Sequence, residues 1–103
     1  MDKSWQPAAE AATALKGQMG VFQLANAAEE IIFIGYAGGR SLYGLQGEVR
    51  DQLAEQPDAV KFRVEVTTSY LSRFRELMMV HHADHGAYPV NNPPIKLGRL
   101  SAE

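Results

Sequence analysis

Two apolar segments, "MGVFQLA" (Met19 to Ala25) and "IIFIGY" (Ile31 to Tyr36), decide the fold. Both are rich in β-branched and aromatic residues, which favour strands. A short polar connector, "NAAEE", joins them, so the pair is predicted to form an antiparallel hairpin. Because the second segment contains almost no polar residue, we expect it to be the central strand of a sheet.

The other elements follow from similar patterns. The segment "KFRVEV", residues 61–66, alternates polar and apolar side chains, which predicts a strand with one buried face. Helices are expected at residues 7–16, at residues 42–55 and at residues 69–85, the last of them ending at Gly86. The sequence therefore predicts an α+β fold with a small three-stranded, mostly antiparallel sheet flanked by helices.

The composition of the 103-residue chain restricts its class. Ten basic and twelve acidic residues leave a net charge of −2, which argues against binding nucleic acid through bulk charge. The basic residues are concentrated between Arg40 and Arg75, so an anionic partner is expected to contact that part of the chain. The absence of cysteine excludes disulfides and thiolate-bound zinc. Without a membrane-length apolar run or a signal peptide, a soluble cytoplasmic protein with no membrane partner is expected.

The two strand segments also carry a motif. Gly20-Val21-Phe22 and, after ten intervening residues, Phe33-Ile34-Gly35 resemble the GIY-YIG motif of the GIY-YIG nuclease superfamily. The string "RFREL", residues 73–77, resembles the glutamate-bearing segment of that superfamily, with Glu76 as the glutamate. The string "YPVNN", residues 88–92, resembles the proline and asparagine that follow the helix.

This resemblance implies an organisation and a chemistry. It divides the chain into an N-terminal helical extension (residues 1–18), a GIY-YIG-like domain (residues 19–92) and an irregular tail (residues 93–103). It implies a metal-dependent endonuclease that hydrolyses phosphodiester bonds of nucleic acid, with DNA as a partner. Glu76 would hold one Mg²⁺ or Mn²⁺ ion, because hard cations prefer oxygen ligands.

The candidate site departs from the superfamily motif. Phenylalanine stands at both tyrosine positions, and a phenyl ring cannot donate a hydrogen bond to phosphate or accept a proton from water. A tyrosine elsewhere would have to supply the hydroxyl, and Arg40 would have to orient the phosphate, because the usual arginine position is not occupied by arginine. The candidate catalytic residues are Phe22, Phe33, Tyr36, Arg40, Tyr43 and Asn91, with Asn92 as the alternative to Asn91.

Two other interpretations remain open at the sequence level. The first is a catalytically inactive relative with a degenerate active site, which serves as a nucleic-acid- or protein-binding module. The second concerns "HHADH", in which His81, Asp84 and His85 have the spacing of metal ligands on one helix face. The same histidines would also be favoured by the macrodipole at the end of a helix, without any metal.

The glycine-bearing loop "AGGRS", residues 37–41, has two interpretations as well. Exposed amides beside Arg40 could bind an anion, although the loop lacks the lysine and spacing of a P-loop. A plain turn between strand and helix is favoured, in which Ser41 caps the helix that follows.

Overall fold

The computed structural model describes residues 1–93, so the predicted tail lies outside the described residues except for Pro93. In chain order the elements are β1 (Gln6–Pro7), a 3-10 turn (Ala8–Glu10), α1 (Ala11–Ala14), β2 (Gly20–Ala25), β3 (Ile31–Ala37), α2 (Gly44–Glu55), β4 (Lys61–Val66) and α3 (Tyr70–His85). The α+β class predicted from the sequence is confirmed. No helix within these residues is both long and apolar enough to cross a membrane.

The strands form one antiparallel sheet in the order β1-β4-β2-β3. The predicted hairpin of β2 and β3 is confirmed, with Phe22 opposite Gly35 and a shift of register near Ala25. The expectation that residues 31–36 form the central strand is wrong, because β2 is paired on both sides and β3 on one. β3 is apolar for another reason, which is that α2 packs on one face of the sheet and α3 on the other.

The alternation of side chains along β2 divides the core into two layers. Phe22 and Leu24 belong to the layer beneath α2, where they pack with the fully buried Leu45. Val21 belongs to the layer beneath α3 and packs with Leu77. Each fully buried side chain of this size stabilises the fold by about 1.5–3 kcal/mol.

The N-terminal residues are part of the same core. Two residues of β1 pair with β4, which adds a short fourth strand to the three-stranded sheet that was expected. Ala11 and Leu15 are buried in the layer beneath α2. The helix expected at residues 7–16 is shortened to a 3-10 turn and one α-helical turn, which ends where Leu15 adopts an extended conformation.

The ends of the two long helices differ in how well the sequence predicts them. Gly86 ends α3 in the left-handed conformation, with φ 75° and its N–H donating to the His82 carbonyl, as predicted. Ser41 does not cap α2, because its hydroxyl accepts a hydrogen bond from the Gly38 N–H at 3.0 Å. α2 begins at Gly44, whose φ is +59°. This left-handed conformation interrupts any right-handed helix that would continue from residues 42 and 43 into α2.

Candidate functional site

A groove of about 590 Å³ lies beside β3. Its lining comes from Phe22 of β2, from β3, the loop at residues 38–41, one side of α2, the first turns of α3 and the segment at residues 92–93. Because the two helices pack on opposite faces of the sheet, a groove lined by both must pass around the edge of β3. Its volume is in the range of pockets that hold small molecules or one unit of a polymer.

The floor of the groove is built from the phenylalanines of the motif. The ring centroids of Phe22 and Phe33 are 5.9 Å apart, and both rings press against Gly35. A Cβ on Gly35 would lie 2.5 Å from the Phe22 ring, so the close packing requires glycine. Phe22 is only 1% exposed. The two rings are therefore packing groups that shape the floor.

Aromatic rings from β3 and α3 form one wall. Tyr36 and Tyr70 are stacked, with centroids 5.7 Å apart and an interplanar angle of 21°, and Phe74 meets Tyr36 edge-on at 5.1 Å. The Tyr70 ring also covers Gly38, where a Cβ would lie 2.6 Å from it. Tyr36 is 40% exposed, so this wall offers an accessible aromatic surface.

Polar side chains from the glycine-bearing loop and from α2 also line the groove. Arg40 is exposed on the glycine-bearing loop, and Glu48 and Gln52 are half-buried on one face of α2, one turn apart. The Gln52 side-chain oxygen accepts a hydrogen bond from the Gln56 amide at 2.8 Å. Among residues 1–93, neither Arg40 nor Glu48 has an ion-pair partner. Among the described residues, the groove thus holds one cationic and one anionic group that form no ion pair and can contact a ligand.

An asparagine closes the edge of β3 next to the groove. The Asn92 side chain accepts from the Ile34 N–H and donates to the Ile34 carbonyl, both at 2.9 Å. The backbone N–H of Asn91 donates to the Ile32 carbonyl at 2.9 Å. Asn92 therefore takes the place of a neighbouring strand at one residue, and its own side chain lines the groove.

The predicted site residues are only partly brought together. Phe22, Phe33, Tyr36 and Arg40 all line the groove, and so does Asn92. Tyr43 and Asn91 do not line it. The Tyr43 ring lies 5.7 Å from the Arg50 guanidinium, and the Asn91 amide is hydrogen-bonded to Gln56 and Asp58.

Glu76, the predicted metal ligand, lies away from the groove. Its side chain is 60% exposed and pairs with Arg73, which also holds both carboxylate oxygens of Glu65 at 2.9 and 3.1 Å. The hydrogen bond with Glu65 and then that with Glu76 raise the pKa of the Arg73 guanidinium. Since α3 packs on the face of the sheet opposite Phe22, the sheet separates Glu76 from the aromatic floor.

The histidine segment forms two separate aromatic contacts. His81 and His85 have ring centroids 4.3 Å apart, and His82 packs on Tyr88 at 4.7 Å. The His81 Nδ1 lies 3.0 Å from the Ala87 carbonyl oxygen. No cluster of three metal-ligating side chains occurs within the described part of the chain, so Asp84 does not join the two histidines in one.

Sequence reasoning missed the α2 and α3 side chains of the groove. These are Glu48, Gln52, Tyr70, Leu71 and Phe74. The signal that could have found some of them is helical spacing, because Glu48 and Gln52 are four residues apart and so are Tyr70 and Phe74. What the spacing could not supply is which side of each helix faces β3.

These features describe a compact α+β protein with a ligand-sized groove at a sheet edge. Residues 1–84 match the family described as a domain of unknown function, DUF7508, and the chain belongs to that family. The match includes every lining side chain up to Phe74, and Asn92 and Pro93 lie beyond it. No curated protein and no solved structure is significantly similar to the chain.

Proposed function

We propose that the groove binds single-stranded nucleic acid, on a GIY-YIG-like scaffold that has lost the cleavage chemistry. The observation that carries this proposal is the exposed Tyr36 ring, stacked on Tyr70, in the same groove as Arg40. Proteins that bind single strands combine aromatic surfaces for the bases with cations for the backbone. An unpaired base can reach the Tyr36 ring, whereas a base inside a duplex cannot.

Stacking, more than charge, supplies the affinity in this proposal. The chain carries a net charge of −2, and among the groove-lining residues described Arg40 is the basic one. One guanidinium neutralises about one phosphate, for which the slope of log affinity against log salt is about −0.7 on a single strand. A shallow salt dependence therefore distinguishes this kind of binding from a broad basic surface.

Binding is favoured over cleavage by the positions of the residues. The resemblance assigns the metal to Glu76, which is paired with Arg73 on the other face of the sheet from Phe22. The rings of Phe22 and Phe33 carry no hydroxyl that could act on a phosphate. The chemistry implied by the GIY-YIG motif would need a metal ion beside the aromatic floor and a hydroxyl at the two aromatic positions.

Metal-dependent hydrolysis is the second candidate, and the Glu48 carboxylate favours it. This side chain lines the groove with Arg40, so a Mg²⁺ or Mn²⁺ ion held by Glu48 would lie in the same groove as a phosphate bound by Arg40. In this alternative Glu48 replaces Glu76 as the metal ligand, and hydrolysis would be lost on Glu48→Ala but kept in Glu76→Ala.

The experiment is a titration of a dye-labelled, mixed-sequence single-stranded DNA of about ten nucleotides, followed by fluorescence anisotropy. Tyr36→Ala is expected to weaken binding by about five- to 150-fold, because loss of one stacked base costs about 1–3 kcal/mol. Tyr43→Ala is the matched control, since Tyr43 is exposed but lies outside the groove. Thermal unfolding of both variants checks that the fold is intact.

The same protein is then incubated with the DNA and Mn²⁺ or Mg²⁺. Binding that depends on Tyr36, without cleavage, supports the binding function. Cleavage that is lost in Glu48→Ala supports hydrolysis in the groove, and cleavage that is lost in Glu76→Ala restores the assignment made from the motif. If wild-type protein and Tyr36→Ala bind equally, or if neither binds, the proposed function is wrong.

A further inference from the structure

The polar groups of the groove have a pattern that a particular base fits. We propose that the groove selects guanine, with the Glu48 carboxylate as the group that recognises it. This inference rests on the proposed function and specifies which nucleotide occupies the groove. It depends on Glu48 and Gln52. Binding of a single strand of any sequence would not require a glutamate and a glutamine at these positions.

Glu48 presents a carboxylate that has no ion-pair partner in the described part of the chain. The side chain is half-buried at the groove. A partly desolvated carboxylate gains most from a ligand that donates two hydrogen bonds side by side, one to each oxygen. It also repels ligand atoms that carry lone pairs.

Gln52 presents a donor one turn further along α2. Its side-chain oxygen is occupied by the Gln56 amide at 2.8 Å, which leaves the Gln52 nitrogen with N–H groups for a ligand. Glu48 and Gln52 are four residues apart, so they lie on the same face of α2, and both line the groove. The α2 side of the groove therefore offers an acceptor pair followed by a donor.

Guanine is the base whose Watson–Crick edge complements this order. Its N1–H and N2–H₂ groups are adjacent donors, and its O6 is the acceptor beside them. Adenine and cytosine each place a ring nitrogen lone pair next to their amino group, and that lone pair would face the carboxylate. Uracil and thymine have one N–H between two carbonyl oxygens, so they offer Glu48 one donor and two repulsive contacts.

The remaining lining accounts for the rest of a guanine nucleotide. The Tyr36 ring provides a surface for stacking, and Arg40 provides a charge-assisted contact for the phosphate. Leaving the Glu48 carboxylate without its two donors is costly, because a partly buried charged group then lacks hydrogen bonds. Selection by this group is therefore against wrong bases as much as in favour of guanine.

The test is an anisotropy titration of oligothymidine that carries one central substitution by dG, dA, dC or deoxyinosine. A single dG avoids self-association of guanine runs. The dG strand is expected to bind about tenfold tighter than the dA strand, the dC strand and unsubstituted oligothymidine, which is the dT strand. Deoxyinosine lacks the N2 amino group and keeps N1–H and O6, so its affinity is expected between that of dG and that of dA.

Two variants assign the preference to Glu48. Glu48→Gln replaces one acceptor oxygen by a donor and is expected to reduce the tenfold ratio between the dG and dT affinities to about one. Glu55→Gln is the matched control, since Glu55 is exposed on the same helix and lies outside the groove. It should leave both affinities unchanged.

Free guanosine and adenosine monophosphates, observed by saturation-transfer NMR, separate this inference from the proposed function. Binding of the strands through Tyr36 with equal affinity for all bases overturns guanine selection and leaves the proposed function standing. Binding of guanosine monophosphate that Glu48→Gln abolishes, with no binding of any strand, supports guanine recognition and overturns nucleic-acid binding. If neither strands nor nucleotides bind, both are wrong.

Discussion

The outer sides of β4 and β3, the two outermost long strands of the sheet, are covered in different ways. Along β4, two residues of β1 form a backbone ladder, and the Ala8 N–H donates to the Val60 carbonyl. Along β3, the cover comes from Asn91, through its backbone, and from Asn92, through its side chain. Exposed strand edges are sites of unwanted pairing, so each edge of this sheet needs such a cover.

The difference explains why the groove lies where it does. The side chain of Asn92 satisfies one residue, Ile34, and the cover supplied by Asn91 and Asn92 reaches no further along β3. Tyr36 lies two residues beyond Ile34 and has the same orientation in the strand. The groove, with Tyr36 in its wall, lies just past the point where the asparagine cover ends. The Asn92 amide covers β3 at one residue, and the groove occupies the space next to Tyr36 that a longer neighbouring strand would fill.

The substitution with the largest expected effect on the free energy of unfolding lies on the side of the hairpin that pairs with β4. A Cβ on Gly20 would overlap the backbone carbonyl oxygen of Glu65, which the ladder between β2 and β4 holds in place. Gly20→Ala is expected to lower the free energy of unfolding by about 3 kcal/mol or more, because backbone cannot move aside as a side chain can. Urea denaturation measures it.

Gly35→Ala is the matched control on the β3 side. Its Cβ would meet the outer end of the Phe22 ring most closely and the Phe33 ring next, and the end of a side chain can shift more easily than the backbone carbonyl that Gly20 faces. We expect a loss of about 1–2 kcal/mol, together with weaker binding of single strands. An equal loss for Gly20→Ala and Gly35→Ala would show that the two sides are not enclosed differently.

A smaller effect is expected at the asparagine cover. Asn92→Ala removes both partners of Ile34 and is expected to cost about 2 kcal/mol, since a polar backbone pair is left unsatisfied. Asn91→Ala keeps the backbone hydrogen bond to Ile32 and should cost about half as much.

Amide hydrogen exchange locates the change. In Asn92→Ala the Ile34 amide should exchange faster, whereas the Ala8 amide at the other edge keeps its protection. Unchanged protection of Ile34 would mean that the Asn92 side chain does not cover this edge in solution.

The sequence predicted the parts of the molecule that short-range patterns determine. The β2–β3 hairpin, the strand at residues 61–66 and the left-handed stop at Gly86 each follow from neighbouring residues. The position of β3 at an edge of the sheet does not follow from neighbouring residues, because strand order depends on pairing between distant segments. β1 was not predicted either, because a strand of two residues is too short to show an alternating pattern.

The candidate site shows the same limit. The rings of Phe22 and Phe33 meet because they lie on the same face of the predicted hairpin, whereas Tyr36 lies on the opposite face and contacts Tyr70 and Phe74. Glu76 was assigned from its order in a motif, which does not specify the face of the sheet on which α3 packs. Glu48 belongs to the groove through the packing of α2, and its helical spacing from Gln52 does not specify which side of α2 faces β3.

The smallest expected effect concerns the other edge. The Trp5 ring lies 4.1 Å from the Arg63 guanidinium, whose Nη1 donates to the Lys3 carbonyl at 3.1 Å. These contacts hold the residues around β1 against β4. Trp5→Ala is expected to cost about 1 kcal/mol, the value of a cation–π contact at a partly exposed site.

Hydrogen exchange again separates the two edges. In Trp5→Ala the Ala8 amide should lose about fivefold in protection, the counterpart of 1 kcal/mol, while the Ile34 amide is unaffected. Trp5→Phe, which retains an aromatic face for Arg63, should recover part of the loss. If Trp5→Ala exposed the Ile34 amide as well, the two covers would be coupled through β2, and the edges would have to be regarded as one cooperative unit.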